Sequence, residues 1–377
     1  MNFATKMLLI SLVVLLAICL VGAVITIIVL LPSAPANAPV SNLPPASSGN
    51  VTPIANPSVW YQIYFTTPKF PDREADHRGG LDEKLTAFIN TAQTSVDMAI
   101  YQLDLPNVTQ ALLDAKKRGA TVRVVTDIDI LEDKKENPSF LQLQKAGIKV
   151  VGGNPNAIMH DKFVVVDGKA VWSGSWNFTT NDTYRYNNNG ILMQSPDLAR
   201  NYTVTFEKMF NHGLFGRGRK PGGTTALLTL GGVTVENYFA PEDKVAEKII
   251  ARLKQAARTI DFMAFSFTDD AIGDVLLARA KGGVQVRGVF ETTGSETQYS
   301  EYPRLKRANL DVRQDGNGYL MHHKVFIVDG KTVVLGSFNF SQNAETENDE
   351  NLLIIDDIPL AAAFTEEFAR VYGQAKK

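Results

Sequence analysis

Two histidines of this chain stand in the same motif, 162 positions apart. His160 is followed by a lysine two positions later, and so is His322. The sequence holds five histidines, so two of them in one repeated motif indicate a shared chemical role rather than two unrelated structural roles. After each lysine, an Asp, a Gly-Ser pair and an Asn return at the same spacing. These residues are Lys162, Asp167, Ser175 and Asn177 in the first copy, and Lys324, Asp329, Ser337 and Asn339 in the second.

These residue types suit a site that binds a phosphate group. Residues two apart on a strand point to the same face, so each histidine should project beside its lysine. A lysine supplies a point charge for a phosphate oxygen, and the asparagines supply amide donors. The turns at Ser175 and Ser337 let the backbone approach substrate closely and add hydroxyl donors. For Asp167 and Asp329, which each precede a glycine, two interpretations stay open: a turn residue, or a carboxylate that orders the site.

Residues 59–377 consist of two copies of one unit. A segment that begins at Ser95 returns at an offset of 164, and the histidine motif returns at an offset of 162. Repeats of this length indicate a duplicated domain. In the first copy, helical spacing alternates with apolar strand-like runs, which is typical of a layered α/β unit. The predicted helices are 81–91, 108–118 and 138–146, and the predicted strands are 96–103, 122–126, 163–166 and 191–193.

The arrangement resembles the phospholipase D superfamily, whose signature is His-x-Lys-x4-Asp followed by Gly-Ser-x-Asn. The resemblance covers nearly all of residues 59–377, in two copies. It implies an α/β fold of two pseudo-symmetric α/β/α lobes with mixed sheets, whose motifs meet at the pseudo-twofold axis. It also implies that a phosphodiester is cleaved with no metal and no cofactor, through a covalent phosphohistidine.

The resemblance further implies a role for each residue of the motifs. One imidazole attacks phosphorus and the other donates a proton to the leaving oxygen. By analogy with bacterial members that carry both motifs, His160 is the nucleophile and His322 the acid. The lysines and asparagines hold the charge that develops on the phosphoryl oxygens. The family places an acidic residue after the motif to orient a histidine; Glu350 fits this pattern and Asn188 does not, so a single carboxylate would make the two histidines unequal.

Other histidines and strand-end acids receive no catalytic role. His323 should point to the opposite strand face from its neighbour, so we expect it to be structural. His77 and His212 are expected at the surface. Asp127 and Glu291 end matching strands, but acids are common at strand ends, so they are not counted as site residues.

The first 58 residues differ in composition from the rest. Met7–Leu31 carries no charge over 25 residues, which is enough to cross a bilayer as a helix. A charge-free, Pro-rich stretch follows and is typical of an extended tether. We expect a cytoplasmic tip and transmembrane anchor (1–31), a linker (32–58), a first phospholipase D-like domain (59–212), a Gly-rich basic linker (213–223) and a second such domain (224–377). Small residues after the apolar stretch leave a cleaved, secreted form open.

The distribution of charge limits location, partners and metal sites. Lys6 is the only charged side chain before residue 51, so the positive-inside tendency places the two repeats outside the cytoplasm. Residues 51–377 carry 37 Lys and Arg against 40 Asp and Glu, so the chain as a whole lacks a basic nucleic-acid footprint. The single cysteine, Cys19, excludes an intrachain disulfide and a Cys-based zinc site. In the 213–223 linker, the cations are expected to be solvated: Arg217, Arg219 and Lys220.

Three functions stay open from the sequence. The first is a membrane-anchored phospholipase D that releases phospholipid headgroups, with cardiolipin synthase-like transfer to an alcohol as a variant. The second is an extracytoplasmic nuclease. The third is a non-catalytic binding module, which two intact motifs disfavour. The expected partner is a phospholipid or membrane surface, with nucleic acid as the alternative and no obligatory protein partner. Either a basic groove or an ordinary solvated helix could contain Arg304, Lys306, Arg307 and Arg313.

Overall fold

Each half of the described chain folds around one mixed β-sheet. The computed structural model describes residues 60–376. The predicted anchor and Pro-rich linker lie outside the described residues. Among residues 60–376, no helix combines the length and the apolar character that a membrane span requires.

The first repeat contains eight strands and six α-helices. The strands are β1 (Tyr61–Phe65), β2 (Ser95–Ile100), β3 (Thr121–Asp127), β4 (Lys149–Gly153), β5 (Lys162–Val166), β6 (Ala170–Gly174), β7 (Tyr186–Asn187) and β8 (Asn189–Gln194). The helices are α1 (Leu81–Asn90), α2 (Pro106–Lys117), α3 (Ile128–Glu132), α4 (Pro138–Lys145), α5 (Thr180–Tyr184) and α6 (Pro196–Phe210). Seven strands form a sheet in the order β1-β8-β6-β5-β2-β3-β4, in which β2, β3 and β4 run parallel and the other neighbours antiparallel.

The second repeat has the same strand order with one added edge strand. Its strands are β9 (Leu227–Leu230), β10 (Val233–Ala240), β11 (Thr259–Ala264), β12 (Gln285–Phe290), β13 (Asp311–Gln314), β14 (Leu320–Met321), β15 (Lys324–Val328), β16 (Thr332–Gly336) and β17 (Glu350–Asp356). Its helices are α7 (Val245–Lys254), α8 (Asp270–Lys281), α9 (Glu301–Arg307), α10 (Gln342–Thr346) and α11 (Ile358–Gln374). The sheet order is β13-β12-β11-β15-β16-β17-β10-β9. The expected two-lobed α/β fold with mixed sheets is confirmed.

The central core is shared by the two repeats. The strand β5 alternates faces: Phe163 and Val165 join the central apolar cluster, whereas Val164 and Val166 join an outer cluster with α1 and α2. The central cluster also takes apolar residues from β15, α6 and α11. Each motif strand is therefore buried on both faces, which gives the site a rigid support.

Short pairings cross between the repeats just before each histidine. The strands β7 and β14 pair in parallel, with Met321 opposite Asn187. In the matching place, Met159 forms an isolated bridge with Asp349. The backbone before each histidine motif is thus held by the opposite repeat.

The predicted elements of the first repeat are all present, with ends displaced by no more than three residues. The prediction for the 213–223 linker is wrong at one residue. The Arg219 side chain has no exposed surface and lies among carboxylates, whereas Arg217 is exposed as expected. Sequence composition indicated a solvated linker because neither the partner carboxylates nor their distances can be read from the segment itself.

Candidate active site

His160 and His322 both lie at the boundary between the repeats. Each comes two residues before the buried lysine that begins a motif strand, β5 or β15. The backbone N–H of His160 donates to the carbonyl of Asp349 at 2.9 Å, and that of His322 donates to the carbonyl of Asn187 at 2.9 Å. Each histidine is therefore positioned by backbone from the other repeat.

Glu350 orients the first histidine. Its carboxylate oxygens lie 2.9 and 2.8 Å from Nδ1 of His160, and the Ser337 hydroxyl donates to one of them at 2.6 Å. When Glu350 is ionised it can only accept, so Nδ1 carries the proton and Nε2 presents a lone pair. The predicted orienting acid thus acts across the repeats.

His322 is oriented mainly by an amide. Its Nδ1 lies 3.0 Å from Oδ1 of Asn188, which also accepts from the Ser175 hydroxyl at 2.8 Å. Asn188 takes the place that Glu350 has in the other half, although its residue type did not fit the expected pattern. An amide oxygen fixes the imidazole tautomer without adding charge.

A second carboxylate lies beside His322, and sequence reasoning missed it. Asp182 Oδ1 is 3.4 Å from Nδ1 of His322 and also accepts from the backbone and side-chain nitrogens of Asn177, at 3.1 and 3.3 Å. The expectation of a single carboxylate is therefore incomplete. The sequence did hold one sign of Asp182. The matching position of the second repeat is Ala344, so this acid is a difference between two otherwise similar segments.

Both motif lysines are buried and directed by their own histidine's backbone. Lys162 Nζ donates to the His160 carbonyl at 3.0 Å, and Lys324 Nζ donates to the His322 carbonyl at 3.0 Å. An ammonium has three N–H bonds, so donors remain for an anion. Burial lowers the pKa of Lys162 to about 8, and burial with the nearby Lys162 charge lowers the pKa of Lys324 well below its usual value.

Burial also shifts the pKa values of both motif histidines and of Glu350. It lowers the pKa of His160 and of His322 well below the usual imidazole value, and both lysine charges act in the same direction. Burial raises the pKa of Glu350 to about 8, although the lysine charges oppose that rise. Buried groups with opposing shifts of this kind are typical of sites that move protons.

The structure separates the motif aspartates from the histidines. Asp167 lies at the far end of β5 from Lys162, roughly 16 Å along the strand at about 3.3 Å per residue. Its carboxylate accepts from the backbone N–H groups of residues 93–95 at 2.7–3.1 Å, and Asp329 accepts likewise from residues 257–259 at 2.7–2.9 Å. Of the two interpretations, these contacts favour the turn residue over a carboxylate that orders the site.

Asp127 and Glu291 do contribute to the site, contrary to the sequence-based expectation. Asp127 accepts from the backbone N–H of Met159 at 2.8 Å, and Glu291 accepts from that of Met321 at 2.6 Å. Both acids hold the residue directly before a motif histidine. Their occurrence at matching strand ends was the signal that sequence reasoning set aside.

The remaining site and histidine predictions have mixed outcomes. Asn177 is buried and Asn339 is half-buried, and each lies two residues after the serine of its Gly-Ser pair. His323 is buried and paired with Glu367 at 2.9 Å, in keeping with a structural role. His212 is exposed, but His77 is partly buried, paired with an aspartate at 2.7 Å and stacked on a tyrosine ring.

A polar cavity of about 510 Å³ opens in the second repeat, and its lining includes no residue of the second motif. Its wall includes Ser266, the residue after Phe265, whose ring centroid is 4.5 Å from that of His322. The other lining residues are Thr268, Asp270, Gln298, Tyr299, Ser341, Gln342 and Asn343. Hydroxyl and amide groups dominate this wall, so it suits a polar ligand. Within residues 60–376, no three His, Cys, Asp or Glu side chains are grouped to hold a metal ion.

Comparison with known proteins identifies the family. The model of the family described as "Cardiolipin synthase, PLD-like domain" matches residues 85–210 and 249–372, one stretch in each repeat. The chain belongs to the phospholipase D-like family. The resemblance seen in the two motifs is confirmed, and both buried histidine–lysine pairs fall inside the matched stretches of this phospholipase D-like chain.

The relatives of this phospholipase D-like protein match parts of it. The Mitochondrial cardiolipin hydrolase of Chlamydomonas reinhardtii is 37% identical over 124 residues, which cover 33% of this chain and 56% of that protein. A Phospholipase D of Rickettsia prowazekii (strain Madrid E) is 30% identical over 134 residues, which cover 36% and 65%. The chain thus spans between about half and two thirds of these relatives. The structure of phosphatidylserine synthase from Haemophilus influenzae Rd KW20 has a TM-score of 0.61 at 13% identity, covering 84% of this chain and 89% of that one, and shows a shared fold.

Proposed function

We propose that this protein is a phosphodiesterase that cleaves phospholipid headgroups through a covalent phosphohistidine. The observation that carries the proposal is the pair of buried imidazoles, each with its Nδ1 fixed from the opposite repeat and a buried lysine two residues away. Such a pair can divide the roles of nucleophile and acid at one phosphorus atom.

In the first step, His160 is the nucleophile. Its Nε2 lone pair forms a bond to phosphorus while the bond from phosphorus to the headgroup oxygen breaks. The bound phosphodiester anion opposes the lysine charges that lower the pKa of His322, so that His322 carries a proton on Nε2 and gives it to the leaving oxygen. The Glu350 carboxylate offsets the positive charge that appears on the phosphorylated ring.

In the second step, water or an alcohol replaces the nitrogen. His322, now neutral, takes a proton from the incoming hydroxyl as its oxygen bonds to phosphorus and the phosphorus–nitrogen bond breaks. Both imidazoles return to their starting protonation states. Water gives hydrolysis, and an alcohol gives transfer of the phosphatidyl group.

Hydrogen-bond donors surround the phosphoryl oxygens in this proposal. Lys162 and Lys324 supply charged donors, and the amide groups of Asn177 and Asn339 supply neutral ones. Their fixed arrangement provides the stabilisation of developing charge that divalent metals provide in other phosphoryl-transfer enzymes. Ser175 and Ser337 act through Asn188 and Glu350 rather than on substrate, because their hydroxyls already donate to those side chains.

Two observations favour a lipid over a nucleic acid. The candidate basic residues are mostly engaged elsewhere: Arg304 with two acids, Lys306 with a carbonyl and Arg313 with a tyrosine ring. The curated relatives named above carry lipid-cleaving names, cardiolipin hydrolase and phospholipase D.

We further propose that residues 1–31 anchor the protein by a single membrane pass, with both repeats outside the cytoplasm. The support is the charge-free stretch Met7–Leu31 and the position of Lys6 before it. An anchor would hold the site near its lipid, at the end of the Pro-rich tether.

The full chain in detergent micelles provides the test. It is given fluorescent phosphatidylcholine, cardiolipin and, separately, single-stranded DNA, all with excess chelator. We expect headgroup or phosphatidate release that is lost in His160→Ala and in His322→Ala and kept in His212→Ala, the matched change at an exposed histidine. DNA cleavage with intact lipid would replace the proposal with a nuclease, and no cleavage of any substrate would overturn it.

A further inference from the structure

Arg219 is a fully buried arginine in the segment that joins the two repeats. Its side chain has no exposed surface. The guanidinium Nε lies 2.9 Å from Glu242 and 3.2 Å from Asp349, and NH1 lies 3.5 Å from Asp161. The same group also donates to the carbonyl of Ala240. A buried arginine with three carboxylates requires a reason, since removing these charges from water is costly.

The carboxylates around Arg219 are chain neighbours of the central histidine–carboxylate pair. Asp161 directly follows His160 in the first repeat, and Asp349 directly precedes Glu350 in the second. The guanidinium therefore links the two backbones that must lie side by side for Nδ1 of His160 to reach Glu350. The Asp349 carbonyl, which accepts from the His160 backbone N–H, belongs to the same connection.

A further amide reinforces this link from the other side of Glu350. Asn351 donates from Nδ2 to Asp161 at 2.9 Å, again from one repeat to the other. The Asp349 carboxylate accepts in addition from the Gly216 backbone at 2.8 Å and from Asn154 at 2.8 Å. The region is thus held by directional contacts, with Arg219 as its cation.

The charge balance shows that Arg219 stabilises more than one acid. Burial raises the pKa of Asp349 to about 7 and also raises those of Asp161 and Glu242, while the Arg219 charge lowers all three. Lys208 adds a second positive charge, since its Nζ lies 3.4 Å from a carboxylate oxygen of Glu242. Without the guanidinium, these acids would face one another with little compensation.

The second motif is supported in another way. The position of Asp161 is taken by His323, which accepts from Asn189 at 2.9 Å and contacts Glu367 at 2.9 Å, and Glu367 pairs with Arg370. Arg370 belongs to α11 and its side chain is 30% exposed. Arg219 therefore serves one histidine, the one that Glu350 orients.

We propose that Arg219 is a positioning residue for the reaction, because its guanidinium ties the backbone of His160 to that of Glu350 and so fixes the contact between imidazole and carboxylate. The residue belongs to neither motif. Its role rests on the proposed function, since the pair that it positions is the proposed nucleophile and its partner. Because Arg219 is buried, it acts through this pair and not on substrate.

The kinetic test compares Arg219→Met with Arg217→Met in the full-length protein. Arg217 lies in the same linker and is exposed, so its replacement should leave kcat within about twofold. We expect Arg219→Met to lower kcat by about 10- to 100-fold with KM nearly unchanged. In a Glu350→Gln background, the same replacement should lower kcat by less than about threefold, since the contact that Arg219 fixes is already impaired. An equal factor in both backgrounds would overturn the proposal.

A second measurement does not depend on activity. Since the chain has five histidines, the side-chain ¹⁵N resonances of His160 can be assigned by replacement. Arg219→Met should shift the Nδ1 resonance of His160 and leave those of His212 unchanged; an unshifted His160 signal would refute the positioning role even if no substrate were cleaved. If Arg219→Met fails to fold at the assay temperature, Arg219→Lys is used in both tests instead. Lysine keeps the positive charge but lacks the planar guanidinium that can contact several carboxylates at once.

Discussion

Nδ1 of His160 lies within 2.9 Å of both carboxylate oxygens of Glu350, and the two residues come from different repeats. The second histidine repeats the relationship in reverse, because His322 of the second repeat is oriented by Asn188 of the first. Neither repeat alone therefore contains an oriented histidine. The duplication brings both orienting groups together within one chain: a carboxylate for His160, and for His322 an amide with the Asp182 carboxylate 3.4 Å away.

Glu350→Gln should lower kcat by about 10²- to 10⁴-fold, because an amide cannot offset the charge on the phosphorylated imidazole. The pH profile provides a sharper measurement. Glu350 must be ionised to act, and its pKa is raised to about 8, so kcat/KM of the native enzyme should fall as the pH decreases through about 8. This acidic limb should disappear in Glu350→Gln.

The matched control is Glu347→Gln, three residues earlier in the same segment and paired with the exposed Arg217. It should keep both the rate and the acidic limb. An acidic limb that persists unchanged in Glu350→Gln would assign the titration to another group.

His322→Ala should trap the covalent intermediate when the leaving group needs no proton. With a p-nitrophenyl phosphodiester, we expect a burst of about one p-nitrophenol per chain followed by slow turnover, because the base for the second step is missing. Mass spectrometry of the quenched protein should locate the phosphoryl group on His160.

The reciprocal variant completes this experiment. His160→Ala should show no burst with the same substrate, since the nucleophile itself is absent. Phosphate found on His322 in the native enzyme would reverse the two assignments and leave the two-histidine mechanism in place.

The repeated motif predicted that the two halves are equivalent, and the family resemblance implied that their motifs meet. The strand period accounts for the motif only from each lysine onward, because β5 and β15 begin at Lys162 and Lys324 and the histidines precede them. The alternation of apolar runs and helical spacing predicted the layered fold for the same reason: local periodicity reflects which face of an element is buried.

Contacts between the repeats could not be predicted in this way. Asn188, Asp182 and Arg219 act on residues far away in the chain, and no periodicity records which residues face each other across a pseudo-twofold axis. For Asp167 the sequence left a turn and a site role open, because a fixed spacing within the motif fits both. That spacing is set by the length of the strand that Asp167 terminates.

Lys162→Arg should extend activity to higher pH. Burial lowers the pKa of Lys162 to about 8, so the ammonium loses its charge as the pH rises through about 8 and KM for a phosphodiester should increase. The substrate stays a monoanion over this range, and arginine stays charged. KM measured from pH 6 to 10 should therefore rise later in Lys162→Arg. Lys169→Arg, at an exposed lysine on the turn after β5, should leave the KM profile unchanged.

Asp167→Asn should reduce stability and leave kcat unchanged. The carboxylate accepts three backbone N–H bonds, which an amide oxygen replaces only in part, so we expect a loss of about 1–3 kcal/mol in the free energy of unfolding. These bonds lower the pKa of Asp167 to about 2. A lowered carboxylate pKa contributes stability above the unfolded value of about 3.9, and that contribution is lost as the pH falls towards about 2.

Urea unfolding at several pH values measures this difference. The gap between the native protein and Asp167→Asn should be constant from about pH 5 to 7 and should close towards pH 2. Asp329→Asn should behave alike, because Asp329 makes the same contacts in the second repeat. A fall in kcat of more than about tenfold in either variant, at a temperature where it remains folded, would restore the motif aspartates to the catalytic site.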